Sequence, residues 1–171
     1  AMAEAVDKNL KIEAVDAPLG VAVGFPKDGV FGLMDIVGLD LGPKVTQSLQ
    51  KSLPAGDAFQ NLMRPVPALD RLIAEGKTGR KSKTKEGFYR MVPDAEGKKT
   101  RQVIDLASGA YRNADKVSFE SAKLGRKSLR AVMEHGDEGS QIAWAVLRDT
   151  LAYAAGLAEE MGGDIAAIDT A

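Results

Sequence analysis

No apolar run in this chain goes far before a proline or a glycine cuts it. Breakers stand at Pro18, Gly24, Pro26, Gly29, Gly38, the Gly42-Pro43 pair, Pro54, Pro65, Pro67, Gly76, Gly97, Gly136, Gly139 and the Gly162-Gly163 pair. Proline fixes φ and removes a backbone donor, and glycine admits positive φ, so each such position ends an element or forces a turn. Between breakers, apolar residues recur mostly at helical spacing. The class this predicts is all-α, built of short amphipathic helices, with one small β-hairpin near 88–104. No stretch approaches 18 consecutive apolar residues, so no membrane-spanning helix is expected.

Taken in order, residues 8–17 predict a short helix with Ile12, Val15 and Leu19 on one face and Pro18 at its end. Val30, Phe31, Leu33, Met34 and Val37 predict a helix over 30–37, which Gly38 is placed to stop in a left-handed conformation. Pro43 suits the first position of the next helix, whose Val45, Leu49 and Leu53 form an expected buried stripe. Asp57 can cap a short helix carrying Phe59, Leu62 and Met63. Ala68, Leu69, Leu72 and Ile73 give one more helix, ended by Gly76. Residues 77–85 carry no apolar period and read as a loop. Residues 88–92 and 100–104 flank a Pro-Asp-Ala-Glu-Gly turn and read as a hairpin, followed by a turn-rich segment over 105–112. From Ser118 the chain is helical again, with Phe119, Ala122, Leu129, Val132 and Met133 facing inward. A longer helix follows over 141–161, with Val146, Leu147, Leu151, Ala154, Leu157 and Met161 as its expected buried face. Asp164 is placed to cap another helix.

Composition narrows the chemistry. The 171 residues suffice for one domain with a real core, or one and a part. There is no cysteine, so a disulfide framework, a cysteine zinc site and a thiol nucleophile are all excluded. A reducing, cytoplasmic setting is the default expectation. His135 is the sole histidine, and a surface or helix-capping place near a helix end is its simplest reading. Asp35 and Asp40 flank Gly38 and are read as capping and backbone hydrogen bonding around that turn rather than as metal ligands, because no further oxygen ligands are placed beside them. Charge is uneven. Residues 77–101 hold nine Lys or Arg and three acids, a net of 9 − 3 = +6, while 131–171 hold one Arg and eight acids, 1 − 8 = −7. No aromatics interleave with the basic residues of 77–85, which disfavours base stacking, and nucleic acid is not an expected partner. Trp144 and Tyr153 read as core or interface groups.

Two segments resemble each other. Lys11-Ile12-Glu13-Ala14-Val15-Asp16-Ala17 and Asp164-Ile165-Ala166-Ala167-Ile168-Asp169-Thr170 share the order charged, Ile, x, Ala, β-branched, Asp, small, 153 residues apart. The expectation is two copies of one helical unit, each incomplete in this chain.

Residues 24–40 carry Gly24, Phe25, Pro26, Gly29, Phe31, Leu33, Asp35, Gly38, Leu39 and Asp40. This order resembles a segment of the C-terminal domain of the 3-hydroxyacyl-CoA dehydrogenase family, Gly-aromatic-Pro-x-Gly-Pro-Phe-x-Leu-x-Asp-x-x-Gly-Leu-Asp. Gly79-Arg80-Lys81-Ser82 with Gly87-Phe88-Tyr89 resembles that domain's closing element. Asp105-Leu106-Ala107-Ser108-Gly109 with Tyr111-Arg112 resembles the extended bacterial forms that carry the domain twice. The chain departs from the pattern in having Val30 where proline is usual, a turn one residue longer, and Lys83-Thr84-Lys85-Glu86 without the second glycine.

The resemblance implies a helical fold like the C-terminal domain of 6-phosphogluconate dehydrogenase. It implies residues 1–112 as a first unit lacking its opening helix and 113–171 as the opening helices of a truncated second copy. The implied activity is the substrate side of NAD-dependent oxidation of 3-hydroxyacyl-CoA to 3-ketoacyl-CoA in fatty-acid β-oxidation. NAD belongs to a separate Rossmann domain, the expected partner, which also supplies the catalytic pair. No catalytic, cofactor-binding or metal-binding residue is assigned to this chain, since no G-x-G-x-x-G follows a strand here. Phe25, Pro26, Gly29 and Phe31 are the candidate residues for the acyl-CoA wall, although Phe31, Leu33 and Met34 also read as core. A homo-oligomer is expected. The alternative is an all-helical binding or oligomerisation module with no redox role.

Overall fold

The computed structural model describes residues 1–62, 64–125 and 128–158, with Gly163 and Ala166. Eight helices and three strands follow one another over these residues. They are α1 (Met2–Asp7), α2 (Ile12–Asp16), α3 (Gly29–Val37), α4 (Leu41–Ser52), α5 (Pro67–Ala74), β1 (Tyr89–Pro93), β2 (Lys99–Ile104), β3 (Tyr111–Asn113), α6 (Glu120–Lys123), α7 (Leu129–Glu134) and α8 (Glu138–Gly156). Two 3-10 turns, Val21–Val23 and Ala58–Leu62, complete the order. The fold is mostly helical, as expected.

The expected helix over 8–17 narrows to α2 (Ile12–Asp16), and a separate helix, α1, ends at Asp7 before it. Asn9, at φ 50°, breaks the backbone between α1 and α2, and asparagine tolerates that conformation because its short polar side chain bonds locally. Ile12, Val15 and Leu19 are fully buried, as their spacing predicts. The helix over 30–37 is α3, one residue longer at its start; Gly38 ends it at φ 116° and ψ 123°, extended beyond the left-handed helical region. Pro67 is the first residue of α5, whose Ala68, Leu69 and Leu72 are buried. The Asp57 carboxylate accepts from Phe59 N at 2.7 Å and so caps the second 3-10 turn.

The hairpin forms in register, Tyr89 opposite Val103 and Pro93 opposite Lys99. A third antiparallel strand, β3, extends it with Ile104 opposite Tyr111. That strand begins within the segment read as turn-rich, 105–112, and ends one residue past it. It has three residues, too few for alternation to show, and the Asp105 carboxylate makes it by accepting from Ser108 N and Oγ at 2.7 and 2.8 Å and closing the turn before it.

Two apolar stripes are not where periodicity puts them. Val45 and Leu49 of α4 are 48% and 38% exposed, and no residue of that helix is buried. Amphipathicity says only that a face wants covering, not that this chain covers it. In α8, which begins at Glu138 rather than 141, the buried residues are Gly139, Ser140, Ile142, Ala143 and Ala145, while Leu151 is 61% exposed. The small-residue face lets α8 lie close on α1 and α2. Leu129 and Trp144 are also exposed, so Trp144 is not a core residue. Met63, Met161, Gly162 and the helix expected from Asp164 lie outside the described residues.

One core joins residues far apart in the chain, from Ala5 to Ala143. Phe31 and Phe88 meet edge-to-face at 5.1 Å, and Ile12, Leu39, Leu72 and Val103 pack around them together with Ile142 and Ala143 of α8. Asp137 ties α6 to α8. One oxygen accepts from Ser140 N at 2.8 Å and caps α8; the other accepts from Ser121 N at 3.0 Å. Burial opposes its charge, yet these donors and nearby His135 hold it at about 2. His135 is an exposed residue at the C-cap of α7.

Candidate substrate-side turn and the aspartates behind it

Residues 24–31 make an irregular turn before α3. Pro26 is exposed, Phe25 half-buried against the core, Gly29 buried and Phe31 fully buried. The backbone closes on itself, Phe25 N donating to Gly20 O at 3.0 Å and Gly29 N to Pro26 O at 3.1 Å. Of the four candidates, Phe25 and Pro26 offer surface, and the other two shape what lies beneath. Gly29 has φ 75°, and a Cβ there would run into the side chain of Asp16. The Phe31 ring faces Phe88, away from solvent.

Two aspartates tie this region together, Asp16 holding the turn itself and Asp35 holding α3 to β1 behind it. Asp16, at the end of α2, accepts from Phe31 N at 2.8 Å, Gly32 N at 3.1 Å and the Tyr89 hydroxyl at 2.8 Å. Asp35, in α3, is 1% exposed and accepts from Phe88 N and Tyr89 N, both at 2.8 Å. Asp35 therefore does not bond around the Gly38 turn, the role its place in the sequence suggests; it fixes the start of β1. Asp40 does not cap α4 either but pairs with Lys44 at 2.7 Å. Burial raises the Asp35 carboxyl to about 6 against the opposing pull of the two N–H donors. Burial raises Asp16 as well, and it raises the Tyr89 phenol, with the neighbouring Asp16 charge adding to that effect.

The separate sequence blocks meet here. Arg80 N donates to Asp35 O at 2.8 Å, and the Arg80 guanidinium pairs with Asp28 in the turn at 2.5 Å. Leu39 N donates to Thr78 O at 2.9 Å. Gly79 has φ 115°, and a Cβ on it would overlap the backbone carbonyl of Asp35. Tyr111 reaches back to Gly87 O at 2.5 Å, with Arg90 stacked 3.9 Å from its ring centre. Arg112 forks onto Glu13 at 2.5 and 3.0 Å. Glu13 and Asp16 are the residues sequence reasoning missed as anchors. Asp16 carried a signal, since it recurs as Asp169 in the repeated segment; Glu13 carried none, since its counterpart there is Ala166. Of the basic run, Lys77 pairs with Glu75 at 2.7 Å, while Lys81, Lys83 and Lys85 are exposed on a loop, as expected.

The sheet is a three-stranded antiparallel meander, without a parallel strand–helix–strand crossover among the described residues to present phosphates to a helix start. No group of three His, Cys, Asp or Glu side chains among them is placed to hold a metal ion, and no helix among them is long and apolar enough to cross a membrane.

Residues 1–91 match the family 3-hydroxyacyl-CoA dehydrogenase, C-terminal domain. The chain belongs to this family. The matched span contains the candidate turn, both buried aspartates and the closing Gly79–Tyr89 contacts, so the family's sequence signature and the joined geometry coincide. A Rickettsia felis protein whose provisional name is fatty acid oxidation complex trifunctional enzyme is 33% identical over 121 residues, 71% of this chain and 16% of that protein. The fatty acid oxidation complex subunit alpha of Shewanella frigidimarina is 34% identical over 113 residues, 63% of this chain and 14% of that one. Human hydroxyacyl-coenzyme A dehydrogenase, mitochondrial, is 38% identical over 78 residues, 46% of this chain and 23% of that protein. The chain thus spans less than a quarter of each of these relatives. No solved structure matches it.

Proposed function

We propose that this chain forms the substrate-side and dimerisation helical part of an NAD-dependent 3-hydroxyacyl-CoA dehydrogenase of fatty-acid β-oxidation. Residues 1–112 are then a first unit, and the residues from 113 on open a second copy. The observation that carries the reading is the family match over 1–91, which includes the turn that Asp16 clamps in place and the Asp35 contact that ties α3 to β1 behind it. A turn held this firmly offers a preformed wall, and binding to a preformed surface avoids the cost of ordering it. Phe25 and Pro26 supply apolar surface for an acyl chain; Gly29 and Phe31 set the shape. The redox step belongs to a partner NAD-binding domain, and this part holds the thioester against it.

The test is reconstitution. With a separately expressed NAD-binding domain, the chain should support NADH-dependent reduction of acetoacetyl-CoA, and each part alone should be inactive. Phe25→Ala should raise KM several-fold with little change in kcat, the signature of lost uniform binding. Folded, associated parts without activity would defeat the reading. The oligomeric half of the proposal rests on the stripe Leu41, Val45 and Leu49, which runs along one face of α4 and is exposed over its whole length. A face of that kind suits a second copy of the chain.

A further inference from the structure

We propose that a cleft beside the candidate turn binds the phosphate groups of a small anionic ligand. The cleft measures about 740 Å³, within the range of small-molecule sites. It is walled by α2, the Val21–Val23 turn, the β1–β2 ladder and the connection into α6, and the candidate turn adds Lys27 and Asp28 to it.

The argument is one of charge that is already spent and charge that is not. Four acids line the cleft and each has its own partner. Glu13 is forked by Arg112 at 2.5 and 3.0 Å, Asp28 pairs with Arg80 at 2.5 Å, and Asp115 pairs with Lys11 at 2.7 Å. Asp16 is filled by Phe31 N, Gly32 N and the Tyr89 hydroxyl. Four cations line the same cleft: Lys27, Lys99, Arg101 and Lys116. None of these four forms an ion pair within 4 Å among the described residues. The charge of Arg101 reaches Asp16 and Asp28, and that of Lys27 reaches Asp28, without closing to a pair. With Arg112, Arg80 and Lys11 counted beside them, cations outnumber acids around the cleft by seven to four.

Position adds to charge. The Arg101 guanidinium lies 3.8 Å from the centre of the Tyr89 ring. Stacking occupies its face and leaves the N–H donors at its edge for an anion, the geometry that suits phosphate oxygens. Tyr89 is itself pinned by Asp16 and Asp35, so the stacked arginine stands on a rigid floor. The three lysines come from three different segments and converge on one space instead of following one line. That arrangement favours a compact phosphate ester or polyphosphate over an extended phosphodiester chain. A cation site is disfavoured because every lining carboxylate is already partnered.

The experiment uses the whole 171-residue chain and isothermal titration with inorganic triphosphate, with coenzyme A and with a ten-nucleotide single-stranded DNA, at low and at high salt. The variants are Lys99→Gln with Lys116→Gln, and Arg101→Gln, beside a loop control, Lys83→Gln with Lys85→Gln. Saturable binding of triphosphate or coenzyme A is expected at low salt, weakened at high salt. Each cation removed from the cleft should weaken it about fivefold, the value of one close charge pair in water, and the loop control should leave it unchanged. Tighter binding of coenzyme A than of triphosphate would identify an ester as the source of the phosphates; equal binding would identify free phosphate chemistry, and both uphold the site. No saturable binding, equal losses in the loop control, unchanged affinity in the folded cleft variants, or tighter binding of the DNA than of either small anion would overturn it. Triphosphate binding does not depend on the acyl-CoA reading, so its outcome and that of acetoacetyl-CoA reduction can be told apart.

Discussion

At the scale of single residues, Asp16 and Gly29 set the candidate turn, while Asp35 and Gly79 fix the segments packed behind it. Gly79 has φ 115° and stands where any Cβ would strike the Asp35 carbonyl. Gly79→Ala should therefore cost about 2 kcal/mol or more, since the strained backbone and the overlap both oppose it. Urea unfolding should show a lower midpoint at unchanged slope; an unchanged midpoint would mean the contact is not maintained. Asp35 makes a prediction of different kind. Its carboxyl ionises near 3.8 when unfolded and at about 6 when folded. Between those values the folded state holds more protons. The associated stability is full below pH 4 and is lost as pH rises through 6, on the order of 3 kcal/mol. Asp16, raised by burial too, works in the same direction. Urea midpoints at pH 4.5, 5.5 and 7 check this, and Asp35→Asn should flatten the profile between pH 4 and 6. Asp137 has the opposite sign: held at about 2, it contributes stability above pH 4 that is lost as the pH falls toward 2. It is only partly buried, and screening by the solvent that reaches it makes that contribution the smaller one.

At the scale of elements, the helices were easier to locate than their buried faces. Breakers such as Gly38, Pro67 and Gly76 act through local backbone geometry, so they show in the sequence. Which side of a helix is covered depends on what arrives from elsewhere in the chain. Nothing among the described residues buries the α4 stripe, and α8 turns its Ala and Ser side inward although its leucines have the stronger period. Val45→Lys with Leu49→Lys should leave the unfolding free energy of the protomer, read from urea titration, within about 0.5 kcal/mol of the parent, as for exposed positions generally. If α4 joins two copies, the same variant should sediment as a monomer where the parent sediments as a dimer. Equal sedimentation of dimeric parent and variant would remove α4 from the interface.

Across the whole molecule, early and late segments share one core. Ile142 is 4% exposed among residues that include Ala5 and Ile12, more than a hundred positions away. Ile142→Ala should lower stability by about 2–4 kcal/mol, the range for emptying a buried aliphatic site. Far-UV circular dichroism and the fluorescence of Trp144 should report the loss in one common transition. Two separate transitions would mean that α8 unfolds apart from the layer built on α1 and α2.

The sequence by itself determined the helical class, the positions of most breaks, the hairpin register zone and the family, because each is written in local order: spacing, punctuation and short motifs. It also held the segment carrying Asp16, which recurs as Asp169 within 164–170, without saying what that acid binds. Tertiary structure alone decided that Asp16 and Asp35 bridge three sequence blocks, that Tyr111–Asn113 pairs as a third strand, and that four cations share one cleft while their neighbouring acids are already matched. The physical reason is common to all three. Hydrogen-bond partners and uncompensated charges are properties of distances in space, and chain order leaves those distances open until a core closes around them.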